Sequence, residues 1–127
     1  MKRTHIILTI ISLLLSLACA KRPVISCDIP ADFPEARRQQ LAGIFEKGKE
    51  LYKINCSECH GIYGRGKDSI PNFGKEQFDN YKAKFLMGDP RNHAVLRKMN
   101  GEQLDQIFIF LRYKKVSWPG KKDEQKT

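Results

Sequence analysis

Within five consecutive residues, Cys56-Ser57-Glu58-Cys59-His60, the chain sets two thiols apart by two residues and places an imidazole directly after the second. This C-x-x-C-H spacing constrains the 127-residue chain more than any other feature of its sequence. Two thiols so spaced can reach the two vinyl groups of one haem, and the adjacent His then lies under the iron and offers a ring nitrogen. Cys56 and Cys59 are therefore the expected covalent attachment points, and His60 the expected proximal axial ligand. Thioether bonds are permanent, so such a cofactor survives outside the cell, and its potential is set by axial ligands, hydrogen bonds and burial. Other readings of the motif need companions. A thioredoxin-like pair needs a βαβ setting, and no run here reads clearly as strand. A structural zinc site needs four ligands, usually as two pairs, and only Cys27 and Cys19 are left to form a second pair. A chance match in a solvated loop is the third alternative. The export signal and the flanks of the motif argue against it.

Lys2 and Arg3 precede an apolar run from Ile6 to Ala18 that is broken only by Thr9, Ser12 and Ser16. The run is short for a membrane span and its flanks suit a signal peptide over residues 1–18. Leu15-Ser16-Leu17-Ala18-Cys19 resembles a bacterial lipobox, which would make Cys19 a lipidated mature N-terminus, although Ser16 is unusual at its place. Ala18-Cys19-Ala20 also fits cleavage after Ala20, and an uncleaved N-terminal anchor is the remaining reading. All three put the domain outside the cytoplasm. The expectation is a periplasmic protein anchored to the membrane as a lipoprotein, since each buried acyl methylene adds about 0.8 kcal/mol. Residues 19–34 hold Pro23 and Pro30, with Pro34 at their end, and no helical period, so they read as a tether, with Cys27 an exposed thiol within it. Residues 35–116 form the expected domain and 117–127 a polar, Lys-rich tail. Loss of Lys2 and Arg3 with the leader takes the formal charge from +9 to +7. That excess suits acidic partner surfaces. Nucleic acid is excluded as a partner by the compartment and by the lack of a stacking platform.

Two helices bracket the motif. Leu41, Ile44, Phe45, Gly48, Leu51 and Tyr52 follow the i, i+3, i+4, i+7 rule. Glu46, Lys47, Lys49, Glu50 and Lys53 take the other face, and this helix starts near Asp32 or Pro34 and ends near Asn55. Asn100 is a good N-cap for a second helix, with Gln103 as its capping-box partner. Leu104, Ile107, Phe108 and Leu111 form its apolar face, widened by Ile109 and Phe110. A short helix over Asn92 to Lys98 could precede it, with Asp89 as cap and Pro90 in the first turn. Gly61, Gly64, Gly66, Pro71 and Gly74 mark the stretch after the motif as loop.

At this point the sequence resembles the class I cytochrome c family. Gly48-x-x-x-Tyr52-x-x-x-Cys56-x-x-Cys59-His60-Gly61 is similar to that family's N-terminal helix leading into its haem site. Gly64-x-Gly66 resembles the glycine-rich turn that follows, and Ile107 to Tyr113 the C-terminal helix that crosses the first, with Phe110 at the usual aromatic place. The resemblance covers about Phe45 to Tyr113. It implies a small all-α fold wrapped round one covalently bound haem c, with an edge open for electron transfer. It also implies that the Pro71 carbonyl accepts a hydrogen bond from the proximal imidazole and so orients His60.

Such carriers usually complete the iron with a methionine sulfur. Downstream lie Met87 and Met99. Met99 immediately precedes Asn100, where an apolar residue normally acts as a staple against the helix, and the family's ligand normally lies several residues earlier. His93 sits nearer that place, and a neutral imidazole is a competent ligand that lowers the potential relative to methionine. Ligand chemistry thus favours Met99 and position favours His93, with Met87 a distant third. Lys82, Lys84, Arg91, Arg97 and Lys98 gather around this segment and could steer an acidic redox partner; an ordinary solvated face is the plainer reading. The function expected is electron transfer without enzymatic turnover, between partners such as an oxidase, a reductase or a quinol-oxidising complex. The alternative is a haem-containing subunit, gas sensor or weak peroxidase with an open sixth iron position.

Overall fold

The computed structural model describes residues 23–64, 69–89 and 93–119. The expected signal peptide, Cys19, Gly66, Pro90, Arg91 and most of the tail lie outside them. In chain order the elements are β1 (Val24–Cys27), α1 (Glu35–Asn55), α2 (Ser57–His60), α3 (Lys75–Met87), a 3-10 turn (Ala94–Arg97), α4 (Gly101–Tyr113) and β2 (Lys114–Ser117). Among the described residues, four α-helices and one two-stranded ribbon fit the expected all-α architecture of a cytochrome c fold.

Helices α1 and α4 form the frame. The period that marks α1 turns Leu41, Phe45, Gly48 and Tyr52 inward, and α4 buries Ile107, Phe108, Phe110 and Leu111. Phe110 is 0% exposed, and its ring meets Phe45 at 5.3 Å and Tyr52 at 5.2 Å. Gly48 makes this approach possible: a Cβ there would land on the Gln106 carbonyl and lie 3.1 Å from the Phe110 Cβ. The start of α4 is as expected. Asn100 Oδ1 accepts from the Gln103 amide at 2.9 Å, and Gln103 Oε1 accepts from the Asn100 amide at 3.1 Å, which satisfies two of the orphan donors of a helix start.

Two parts of the fold depart from the expectation. Helix α3 fills much of the stretch between the glycine-rich loop and residue 89, where no helix was expected. It presents Phe78, Tyr81 and Phe85 at i, i+3 and i+7, so three rings share one side. Phe78 and Phe85 both meet Phe108 of α4, at 6.3 and 5.4 Å. The short helix expected over Asn92 to Lys98 is confined to the 3-10 turn.

The second departure is the ribbon. Residues 24–27, read as tether, pair antiparallel with 114–117, in the register Val24–Ser117, Ile25–Val116, Ser26–Lys115 and Cys27–Lys114. The Asp28 amide extends the pairing onto the Tyr113 carbonyl at 2.8 Å. Cys27 is consequently half-buried against the core and not an exposed tether thiol. Desolvation there, with Glu46 and Asp28 nearby, pushes its thiol up to about 11. Trp118, expected in a loose tail, sets its ring edge-on to Tyr63 at 6.4 Å.

Candidate haem-binding site

The end of α1 delivers the motif to a cleft. The Cys56 amide closes on the Tyr52 carbonyl at 2.8 Å, and the chain then turns into α2, where the His60 amide bonds the Cys56 carbonyl at 3.0 Å. One short turn thereby carries both thiols and the imidazole. Gly61 stops it with φ of 60°, a left-handed conformation that disfavours a side chain. The Tyr52 hydroxyl donates to the Gly61 carbonyl at 2.8 Å, which ties the residue after His60 back to α1. Cys56 is buried and Cys59 exposed. Burial, and secondarily the neighbouring Cys59, pushes Cys56 up to about 11.

The cleft holds about 350 Å³ of space, part of it open to solvent, and its lining is almost wholly apolar. Tyr52 of α1, Cys56 just after it and His60 of α2 line the cleft. Leu104, Ile107, Phe108 and Leu111 of α4 form the floor, and Tyr81 and Phe85 of α3 face them with His93 and Val95. Two imidazoles stand among the lining residues, and they are aligned. The rings of His60 and His93 have centroids 6.1 Å apart and planes within 7° of parallel. Phe85 holds His93 edge-to-face at 4.9 Å. Among the described residues His93 Nδ1 is buried without a hydrogen-bond partner, an arrangement that is costly unless something else meets it. Burial, then the neighbouring His60, lowers the His93 pKa and so favours the neutral ring.

These features fit a haem. Metal–imidazole bonds are about 2.0–2.1 Å long, and two on opposite sides of one ion place the ring centres roughly 6 Å apart. An apolar slot with a thiol at its edge suits a flat macrocycle. Among the described residues no group of three or more His, Cys, Asp or Glu side chains comes together to hold a metal ion on its own, so the zinc reading finds no ligand set there.

The remaining site candidates fall elsewhere. Met99 packs against the core without lining the cleft, as a staple ahead of the Asn100 cap would. Met87, at the end of α3, is 87% exposed. Pro71 is exposed and follows Ile70, whose side chain lines the cleft. Of the basic cluster, Lys82 is engaged with Asp105 at 3.7 Å and lies over the Phe108 ring, while Lys84, Arg97 and Lys98 are exposed. Sequence reasoning missed the aromatic wall of α3, although Phe78, Tyr81 and Phe85 carried its signal in their spacing. It also missed the Tyr52 hydroxyl bond, which no local pattern announces.

No curated protein and no solved structure matches the chain. The family described as Cytochrome c matches residues 45–125, more than half of the sequence, and that stretch begins inside α1 and takes in the motif, the cleft and α4. The chain belongs to the cytochrome c family and is a class I c-type cytochrome with a covalently bound haem c.

Proposed function

We propose that this cytochrome carries single electrons between exported or membrane-bound redox proteins, with its iron held between His60 and His93. The bound haem supplies the Fe(II)/Fe(III) couple. The observation that supports the ligand pair is the near-parallel alignment of the two imidazoles at 6.1 Å across an apolar cleft. The chain's own contribution is to hold and to shield. Cys56 and Cys59 take the thioether bonds, and Tyr52 pins the turn that carries His60 through the Gly61 carbonyl. Pro71 offers the carbonyl that would fix the His60 ring. Phe85 sets the orientation of His93, and the rings of α3 keep water from the slot. No acid–base pair is needed for this work. Exposed Lys84, Arg97 and Lys98 suit acidic docking surfaces on an oxidase, reductase or quinol-oxidising complex, and a lipidated Cys19 would keep the protein at a membrane outside the cytoplasm.

The test is to replace His93, Met99 and Met87 singly by alanine in haem-loaded protein and to record the ferric spectrum and spin state. Loss of His93 alone should give five-coordinate, high-spin iron. A low-spin H93A protein beside a high-spin M99A protein would reverse the assignment. Carbon monoxide should not bind the reduced parent; ready binding would favour the gas-sensor or peroxidase reading.

A further inference from the structure

Strand β2 turns Lys114 and Val116 inward, so a lysine occupies a position where an apolar side chain is the rule. Lys114 is 3% exposed. A buried ammonium is expensive unless it is hydrogen-bonded or paired. Among the described residues it has no carboxylate partner. Its Nζ donates instead to the Ile70 carbonyl at 2.9 Å. Burial lowers its pKa to about 8, so the group is still cationic at pH 6.

The acceptor gives this lysine its interest. The Ile70 side chain lines the haem cleft, and the same short stretch is fastened a second time. The Asn72 side chain accepts from the Val116 amide at 2.9 Å and donates to the Val116 carbonyl at 3.3 Å. Ile70 to Asn72 is thereby laced to β2, with Pro71 between the two anchors, and β2 is itself held by β1.

We propose that Lys114 is a positioning residue for the Ile70–Asn72 segment, which brings the Ile70 side chain to the wall of the haem cleft, and that its buried ammonium raises the reduction potential of the haem. This rests on the haem-carrier reading above. A fixed positive charge in a low-dielectric setting favours the redox state that holds one more electron. The hydrogen bond meanwhile keeps the wall closed against water, which preserves that low dielectric.

The test uses haem-loaded protein at pH 6 and three variants. Lys114→Gln keeps a side-chain donor without charge, Lys114→Met keeps neither, and Asn72→Ala loosens the same wall without touching the charge. The midpoint potential is read by spectroelectrochemistry, and the Val116 amide by hydrogen exchange. K114Q and K114M should both titrate at lower potential than the parent. N72A should expose the Val116 amide with a smaller shift in potential. K114M should exchange faster than K114Q. Parental potentials in both lysine variants would overturn the electrostatic role, and unchanged exchange in K114M would overturn the positioning role. If K114M fails to load haem, K114Q alone decides the charge. A parent that takes up no haem would instead sink the carrier reading, so the two failures are distinguishable.

Discussion

Replacing Gly48 by alanine tests the helix crossing on which the whole site hangs. The new methyl would meet the Gln106 carbonyl, a backbone group that cannot rotate aside, and would crowd the Phe110 Cβ at 3.1 Å. Helices α1 and α4 must then separate, which loosens Phe110 from Phe45 and Tyr52. Overpacking of this kind costs typically 1–3 kcal/mol and occasionally more, and a backbone obstacle argues for about 3 kcal/mol. Alanine recovers about 1 kcal/mol of helix propensity. The expected net loss is therefore about 2 kcal/mol. Gly43 supplies the control, since it lies in the same helix, is exposed, and has no atom within 4 Å of a would-be Cβ. Gly43→Ala should gain the propensity term without the clash, about 1 kcal/mol. The two variants should differ by about 3 kcal/mol, which separates their urea midpoints by at least about 1 M at ordinary m-values. The assay is urea unfolding of haem-loaded protein followed by far-UV circular dichroism. Midpoints that move together and in the same direction would refute the close crossing.

Three further outcomes are expected. Asn100→Ala removes the acceptor for the Gln103 amide and should cost about 1 kcal/mol by urea unfolding, as cap losses typically do. Tyr52→Phe removes the donor to the Gly61 carbonyl and should cost roughly 0.5–1.5 kcal/mol; a parental midpoint would show that the hydroxyl holds nothing. The buried ammonium of Lys114 makes stability depend on pH. Its pKa is lowered from 10.5 to about 8 in the fold, so between those values the unfolded chain binds more protons and stability rises with pH. From pH 8 to 9 the gain should be about 1 kcal/mol. Above pH 9 the raised Cys27 pushes the other way, and K114M measured over the same interval should lose the rise.

What could be read from sequence follows the range of each signal. Helices α1 and α4 and the motif are local: an apolar period, a cap three residues from its partner, two thiols in one turn. Helix α3 carried an equally local period in Phe78, Tyr81 and Phe85, but its charged and amide residues masked it, and it begins at Gly74 with only the Gln77 side chain to mark the start. The ribbon had no local signal. Each strand is four residues long, a buried lysine breaks the apolar alternation in one of them, and the Ser26 hydroxyl reaches 89 positions along the chain to the Lys115 carbonyl. The competition between His93 and Met99 lay beyond sequence for a similar reason. Both precede α4, and which one enters the cleft depends on the 3-10 turn at Ala94–Arg97 and on Phe85 from α3.

Because Val24 begins a strand of the domain, lipidation at Cys19, were it to occur, would leave little slack between the fold and the lipid. Five residue steps, fully stretched, cover about 17 Å. An anchored protein would thus ride close to the bilayer on a short leash that leaves from the outer end of β1. The ribbon, where Ser117 lies beside Val24, would face the lipid, and the diffusing domain would sweep a shallow layer above the membrane in search of its redox partners.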